Sequence, residues 1–295
     1  MFMSHYATEV CKCPEMFGVI WFSSILRETE NQLFLDVGRG TSSSDLLDEA
    51  SGDLLLMQAC ENTDHFRSKK VFGEVYEVIR AVLTNFGLFN IAKIKTVPHT
   101  LVKLADGEFG YLTKRVDRTA DGKPLSMLDM CQLSNRLTEH KYDGTYVQLA
   151  DVVLKYSVVP LLDVQRFWEI VIFSWITGNS DMHCKNFSLI DEKGIGAYRL
   201  APAYDLLSVL LADKNDTDEM AMTFEVGGRK SGFGRETFIK AMTESGVGEK
   251  VAAKIISRLC ACESAWCEAI DSSFLSDNLK REYKILIHSR LVQLI

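Results

Sequence analysis

The stretch from Leu161 to Thr177 constrains the fold of this chain more than any other segment. It is apolar on nearly all sides, with Phe167, Trp168 and Trp175 among its side chains. A helix that is apolar on all sides must be covered on all sides. The stretch therefore predicts a central buried helix. The chain has 295 residues, 47% of them hydrophobic, which is enough for a large core and for two lobes.

Charge and cysteine content narrow the class of protein. The net charge is −7, which argues against a broad basic surface for nucleic acid. The eight cysteines are scattered, with two C-x-C pairs and no C-x-x-C, so reduced thiols in a cytosol fit better than disulfides or structural zinc. No apolar run reaches about 18 residues, and the first residues lack the pattern of a signal peptide. We therefore expect a cytoplasmic protein without a membrane span.

Three oxygen-bearing side chains after the predicted central helix follow the order found in kinases. Asn186 comes five residues after Asp181, and Asp205 comes nineteen residues after Asn186. In a phosphoryl-transfer site, the first acid takes the proton from the attacking hydroxyl, while the Asn and the second acid hold Mg²⁺ against the ATP phosphates. Two protein ligands suffice because Mg²⁺ completes its shell with water and phosphate. An isolated acid–Asn pair is more often a turn with a helix cap, so the third residue decides the interpretation.

The residues between Asn186 and Asp205 predict a rigid support for these side chains. Apolar runs at 187–190 and 198–200 flank Gly194 and Gly196. Two such runs around a glycine turn indicate a β-hairpin. The hairpin would hold the two acids and the Asn close together.

The remaining pattern divides the chain into two predicted lobes. Residues 1–122 form an N-lobe that clamps the nucleotide, and residues 123–295 form a helical C-lobe with the catalytic and metal-binding motifs. The turn residues at 121–124 mark the boundary. Within the N-lobe, apolar runs predict strands at 17–22, 32–37 and 109–115, and mixed acidic and apolar residues at 45–60 could form a helix.

Several separated motifs resemble the HipA-like serine/threonine kinases, which are the toxin parts of bacterial toxin–antitoxin systems. In chain order, the matching segments are Tyr111–Arg118, Met127–Gln132, Lys141–Tyr146, Gly178–Leu189, Leu200–Leu206 and Asp271–Ser276. The resemblance extends over about residues 91–295. The chain length is closest to the short HipT branch, in which a separate small protein supplies an N-terminal subdomain.

This resemblance implies an α+β, two-lobed, protein-kinase-like fold and an enzyme that uses ATP and Mg²⁺. By position, Asp181 would be the catalytic base, Asn186 and Asp205 would bind Mg²⁺, and His183 and Lys185 would orient the catalytic loop or the phosphates. The implied acceptors are a protein, such as an aminoacyl-tRNA synthetase, and the kinase itself. The implied partners are HipB- or HipS-like antitoxins, with DNA contacted only through the antitoxin and no role for a membrane.

The N-lobe departs from the family pattern. The family has a glycine- and serine-bearing nucleotide loop with an autophosphorylated serine, followed by a strand that ends in an ATP-binding lysine. The candidates in this chain are the loop from Gly38 to Ser44, with Ser42, Ser43 or Ser44 as the phosphorylated residue, and Lys69 or Lys70 with Glu74 or Glu77 as the partner. An ordinary flexible loop is the alternative for Gly38 to Ser44.

Simpler interpretations remain for several of these residues. His183 could be a structural histidine, and Lys185 a solvated charge. The segment from Gly227 to Gly232 has the composition of a phosphate loop but is better explained as a surface turn, and the acidic residues within 213–219 as a solvated loop. For the whole chain, one alternative is a pseudokinase that binds a partner, because the nucleotide-loop signature is missing. The other is a small-molecule phosphotransferase, because such enzymes share the acid–Asn–acid order.

Overall fold

The computed structural model describes strand residues 34–36 and 54–57, and residues 84, 87–103, 109–119, 122–212 and 218–295. The chain divides into two compact units. The first unit comprises Met1–Leu83 and Val97–Pro124, and the second comprises Thr84–Thr96 and Leu125–Ile295. The nucleotide-loop and lysine candidates of the N-lobe (Ser42, Ser43, Ser44, Lys69, Lys70, Glu74 and Glu77) and the strand predicted at 17–22 lie outside the described residues.

The first unit contains a four-stranded sheet. Its strands are β1 (Phe34–Asp36), β2 (Leu54–Met57), β3 (His99–Lys103) and β4 (Phe109–Lys114), in the order β1-β3-β4-β2. Strand β1 runs parallel to β3, and the other neighbours are antiparallel. The predicted strands at 32–37 and 109–115 are therefore confirmed over β1 and β4.

The helix considered at 45–60 is wrong for residues 54–57, which form strand β2. All four residues, Leu54 to Met57, pair with Lys114 to Tyr111 of β4. A short apolar run is compatible with either a helix or a strand, and the available pairing partner decides which one forms.

Arg115, Asp117 and Arg118 form an ion-pair cluster within the first unit. Arg115 donates from Nε and one terminal nitrogen to the two carboxylate oxygens of Asp117, at 2.9 and 2.6 Å. Arg118 donates to Asp117 Oδ2 at 2.7 Å. The two cations hold the pKa of Asp117 below its usual value, although burial alone would raise it. This geometry favours a bracing role for the segment that follows β4.

The second unit contains a three-stranded antiparallel sheet. Its strands are β5 (Ser126–Asp129), β6 (Ser188–Asp191) and β7 (Arg199–Leu200), in the order β5-β6-β7. The predicted hairpin is thus confirmed as β6 and β7. Its turn is held by the Asp191 carboxylate, which accepts the backbone N–H of Gly196 at 2.6 Å, and Gly196 has a φ of +78° that favours glycine.

Helices make up most of the second unit. They are α1 (Met130–Leu133), α2 (Tyr146–Tyr156), α3 (Pro160–Ile176), α4 (Val209–Ala212), α5 (Arg235–Glu244), α6 (Glu249–Cys260), α7 (Glu263–Asp271) and α8 (Asp277–Val292). Short 3₁₀ turns lie at Thr138–His140 and Cys184–Asn186. Among the described helices, none is long and apolar enough to span a membrane.

Helix α3 is the central buried helix that the sequence predicts. Pro160 is its first residue, where the missing N–H costs no hydrogen bond. Its core-facing side chains pack on other helices, as shown by the Phe173 ring, which lies 3.9 Å from the Phe89 ring and 5.3 Å from the Trp266 ring between centroids. The buried Asp163 accepts from Ser157 Oγ at 2.7 Å and from the Leu200 backbone at 2.8 Å. Asp163 therefore joins α3 to strand β7.

Candidate functional site

The end of helix α3 places the segment that carries the candidate site. Gly178 has a φ of +70°, and its N–H donates to Trp175 O, while Asn179 N donates to Ser174 O at 2.8 Å. These two bonds form a Schellman motif, which satisfies the last carbonyls of a helix and reverses the chain. A Cβ on Gly178 would approach Leu286 Cδ2 to 2.7 Å. Glycine is therefore required at this position by both conformation and space.

Hydrogen bonds close the segment from Asp181 to Asn186 into a compact loop. The Asp181 carbonyl accepts the N–H of His183 at 2.9 Å and the Asn186 side-chain nitrogen at 3.0 Å. Asn186 N in turn donates to His183 O at 3.0 Å. Because the side chain of Asn186 reaches back to the backbone of Asp181, the five-residue spacing produces one rigid turn. We call residues 181–186 the catalytic loop.

Asp205 lies beside this loop in an unusual conformation. Its φ is +56°, and its carbonyl accepts from the Asn179 side chain at 3.4 Å. Burial and the neighbouring Asp181 carboxylate raise the pKa of Asp205 to about 6, and a hydrogen bond from the Asn186 side chain opposes this shift. The structure therefore brings together the two acids and the Asn that the sequence singled out.

The residues at this point fit a hard divalent cation. The Asn186 side-chain nitrogen is turned toward Asp181 O and the Asp205 carboxylate, which leaves its oxygen as the metal-binding atom. Burial and the neighbouring Asp181 carboxylate raise the pKa of Asp205, and a bound cation would offset both effects. Within the described residues there is no group of three or more His, Cys, Asp or Glu side chains suited to a metal. A metal held only by Asn186 and Asp205 would complete its shell with phosphate and water, as Mg²⁺ does.

His183 is a buried ring within the catalytic loop. It is 1% exposed, and within the described part of the chain neither ring nitrogen has a hydrogen-bond partner. Its ring meets that of Tyr142 edge to face, with centroids 5.1 Å apart. Burial lowers the pKa of His183 to about 4, against the opposing effect of Asp181. At neutral pH His183 is therefore an uncharged ring packed next to the candidate base.

Lys185 points to a carboxylate at the start of helix α1. Its Nζ lies 2.7 Å from Oδ2 of Asp129, while Oδ1 of Asp129 accepts the Gln132 N–H and caps the helix. The Tyr204 hydroxyl donates to the Lys185 carbonyl at 2.8 Å. These contacts tie the catalytic loop to the start of helix α1 and to Tyr204. No sequence pattern indicated Asp129 as the partner of Lys185.

Tyr142 is a site residue that sequence reasoning missed. Its hydroxyl donates to Asp181 Oδ1 at 2.8 Å, and the carbonyl of the preceding Lys141 accepts the Cys184 N–H at 3.0 Å. The segment around Lys141 and Tyr142 therefore contacts the catalytic loop through both backbone and side chain. Only the similarity of Lys141–Tyr146 to the family's motifs pointed to this segment, and it carried no indication of a role.

Comparison with known proteins places these motifs in a family. A family model described as the HipA-like C-terminal domain matches residues 84–266, which include the catalytic loop, Asp205, Tyr142 and Lys185. The chain belongs to this HipA-like family.

A curated relative of this HipA-like chain is the putative kinase Y4dM of Sinorhizobium fredii (strain NBRC 101917 / NGR234). It is 32% identical over 141 residues, which are 47% of this chain and 33% of that protein. The chain thus spans about a third of the length of this relative.

Two solved structures share the fold. One is HipA in the Shewanella oneidensis MR-1 complex of HipA, HipB and operator DNA, with a TM-score of 0.64 and 16% identity, covering 99% of this chain and 70% of that one. The other is the Helicobacter pylori proinflammatory kinase CtkA, with a TM-score of 0.52 and 13% identity, covering 73% and 80%. The predicted fold class is confirmed: the HipA-like chain has an α+β, protein-kinase-like fold, with a strand-containing unit and a mostly helical unit.

Proposed function

We propose that this chain is an ATP- and Mg²⁺-dependent serine/threonine protein kinase of the HipA or HipT type, and the toxin of a bacterial toxin–antitoxin pair. The observation that carries the proposal is the convergence of Asp181, Asn186 and Asp205 around one compact loop. The order acid, Asn, acid matches the roles that phosphoryl transfer requires.

Asp181 is the proposed catalytic base. Its carboxylate accepts the proton of the attacking Ser or Thr hydroxyl, while the hydroxyl oxygen bonds to the γ-phosphorus and the bond to the leaving ADP oxygen breaks. Tyr142 donates to Asp181 Oδ1 and so fixes the direction in which the carboxylate faces. His183, packed against Tyr142, supports this orientation.

Asn186 and Asp205 are the proposed Mg²⁺ ligands. Bound there, Mg²⁺ supplies neutralisation of the phosphate charge. The positive φ of Asp205 and the bond from Asn179 fix the backbone that carries the carboxylate, so the ligand is in place before nucleotide arrives. Lys69 or Lys70, with Glu74, is proposed to complete nucleotide binding, and Ser42, Ser43 or Ser44 to be phosphorylated in cis.

The proposed biological setting follows the family. The acceptor is a protein, for which an aminoacyl-tRNA synthetase is the first candidate, and the partners are HipB- or HipS-like antitoxins in the cytoplasm. The Shewanella oneidensis relative, solved with HipB and its operator DNA, supports an antitoxin partner. The net charge of −7 supports contact with DNA through the antitoxin rather than directly.

Intact-mass spectrometry with and without Mg²⁺ and ATP tests this function. A phosphoryl group adds about 80 Da, which would show both nucleotide use and transfer to the chain's own hydroxyls. Asp181→Asn should lower transfer by roughly 10²- to 10⁴-fold, the usual contribution of a general base. Asp271→Asn, which removes a surface carboxylate paired with Lys284, is the matched control.

A thermal-shift titration separates the kinase from its alternatives. A kinase is stabilised by Mg²⁺-ATP, because a ligand that binds only the folded state raises its stability. No stabilisation at saturating nucleotide, together with no added mass, would favour a partner-binding pseudokinase. Stabilisation with phosphate transferred only to small acceptors would favour a small-molecule phosphotransferase.

A further inference from the structure

Two lysines from separate segments lie against the ring of Tyr142. Lys141 Nζ is 4.9 Å from the ring centroid, and Lys230 Nζ is 5.8 Å from it. The hydroxyl of the same ring donates to Asp181 Oδ1. Both ammonium groups thus lie against the ring whose hydroxyl contacts the proposed catalytic base. We call Lys141 and Lys230 the lysine pair.

Lys141 lies in the electric field of the proposed site. Burial lowers the pKa of its ammonium group, while the nearby Asp181 and Asp205 carboxylates oppose that shift. Lys185 also acts on Lys141, but its own ion pair is with Asp129. The lysine pair therefore supplies the positive charge beside Tyr142.

Lys230 is placed by an ordered turn. The Lys230 carbonyl accepts the backbone N–H groups of Glu219 and Met220 at 3.0 and 3.2 Å. Arg229 donates to Gly232 O at 2.8 Å, which closes the turn at a glycine with a φ of +75°. The segment from Gly227 to Gly232, which the sequence predicts to be a surface turn, therefore also directs the Lys230 side chain toward Tyr142.

The carboxylate near Lys230 holds it only weakly. The distance from Lys230 Nζ to Asp218 Oδ2 is 3.7 Å, and the Asp218 side chain is 50% exposed. An exposed ion pair of this kind contributes little free energy. Both ammonium groups lie within 5.8 Å of the same ring centroid, so an anion that binds beside this ring is attracted by both.

We propose that the lysine pair is a subsite for a carboxylate side chain of the acceptor protein, close to the hydroxyl that is phosphorylated. The inference rests on the proposed kinase function and adds a substrate class to it: acceptor segments with Asp or Glu beside the Ser or Thr. Two lysines suit a single carboxylate, whereas nucleic acid binding requires a longer basic stripe, which the net charge of −7 argues against. On a chain with a net negative charge, a local positive site of this kind selects the register and orientation of the bound acceptor segment.

A peptide library tests the preference directly. Serine peptides with Glu fixed at each flanking position are compared with the same peptides carrying Gln, as the ratio of kcat/KM values. The ratio for the wild type should be roughly five, the factor expected of one partly exposed ion pair. In Lys230→Gln the ratio should fall to about one, and in Lys230→Glu it should fall below one, because the new carboxylate repels the Glu-flanked peptide.

This test has a control variant and two results that would contradict the subsite. Lys240→Gln removes an exposed lysine paired with Glu225 and should keep the wild-type ratio. If the lysine pair instead bound an ATP phosphate, Lys230→Gln would raise the KM for ATP and leave the peptide ratio unchanged. That result, or a wild-type ratio of one, overturns the proposal.

A binding measurement keeps the inference separate from kinase activity. The full chain is reductively methylated with ¹³C, and the dimethyl-lysine resonances are assigned with Lys230→Gln and Lys141→Gln. A Glu-flanked serine peptide should shift both resonances, and its Gln counterpart should shift neither. Equal shifts with both peptides, or none at millimolar concentration, contradict the subsite. Failure of the kinase proposal would show instead as no added phosphate and no stabilisation by Mg²⁺-ATP.

Discussion

Lys185 forms a 2.7 Å ion pair with Asp129, so the loop that carries the proposed base is tied to the residue that caps helix α1. The two residues are brought together by the sheet, because Asp129 at the end of β5 is opposite Ser188 at the start of β6. Both side chains are partly exposed, at 32% and 15%. The contribution of this partly exposed pair to stability is therefore modest.

A double-mutant cycle on this pair distinguishes positioning from direct phosphate contact. Asp129→Asn should preserve the helix cap, because Asn caps as well as Asp, and should remove only the charge. If Lys185 acts through Asp129, Asp129→Asn and Lys185→Gln should reduce phosphoryl transfer by similar factors, with no further loss in the double variant. A much larger loss in Lys185→Gln alone would show that Lys185 contacts the phosphates.

Asp205→Asn should make the metal-free protein more stable at neutral pH. Burial and Asp181 raise the pKa of Asp205 to about 6 from its ordinary value of 3.8, so the folded state holds an unfavourable charge above pH 6. Removing it should raise the free energy of unfolding by about 1–3 kcal/mol at pH 7.5, and asparagine tolerates the positive φ. The same variant should lose stabilisation by Mg²⁺-ATP.

The pH dependence of this gain has a defined sign. As pH falls from about 6 toward 3.8, the wild-type Asp205 becomes protonated in the folded state and its cost disappears. Urea unfolding in EDTA at pH 7.5 and pH 4.5 should therefore show the advantage of Asp205→Asn shrinking. If Asp205→Asn is less stable than wild type at pH 7.5 while Asp271→Asn is unchanged, the charged Asp205 carboxylate does not destabilise the folded state and the explanation is wrong.

His183→Phe should make the protein less sensitive to acid. The pKa of His183 is lowered to about 4 by burial from its ordinary value of 6.5, so the unfolded chain takes up the proton more readily than the folded one. The wild type should lose on the order of 2–3 kcal/mol through this residue as pH falls from 6.5 to about 4. Phenylalanine retains the edge-to-face contact with Tyr142 but has no proton to bind.

The difference in unfolding free energy between wild type and His183→Phe isolates this effect, because Asp205 titrates in both proteins. It should change steadily between pH 6.5 and pH 4. A parallel pair of curves would mean that His183 binds its proton equally well in the folded and unfolded states. His288→Phe removes an exposed histidine and serves as the control for lost titration.

Gly178→Ala should destabilise the fold more than Gly246→Ala, because the two glycines have similar conformations but only Gly178 lacks space for a side chain. Gly178 and Gly246 have φ values of +70° and +77°, but an added Cβ meets Leu286 at 2.7 Å only at Gly178. Gly246→Ala should cost about 1–2 kcal/mol for the left-handed conformation. Gly178→Ala should cost a further 1–3 kcal/mol for overpacking, measured as the free energy of unfolding. Equal losses in the two variants would show that Leu286 moves aside without cost.

The sequence predicted those parts of the site that lie close together along the chain. Helix α3, the hairpin of β6 and β7, and the grouping of Asp181 with Asn186 follow from periodicity and spacing. The ion pair of Lys185 with Asp129 and the bond of Tyr142 to Asp181 did not, because they join residues 56 and 39 positions apart. Such contacts depend on strand register and helix packing, which no local pattern encodes. The strand at Leu54–Met57 was mistaken for a helix for the same reason, since its pairing with β4 decides its structure.

Because the Schellman motif at Gly178 connects helix α3 directly to the catalytic loop, the length of the helix sets the position and orientation of the loop. Each residue added to a helix rotates the chain beyond its C-terminus by about 100° and advances it by about 1.5 Å. One inserted or deleted residue between Pro160 and Ile176 would swing the catalytic loop as a unit away from Tyr142, which precedes the helix in the chain and donates to Asp181. Relatives of this chain should therefore keep the number of residues in this helix even where the residues themselves differ.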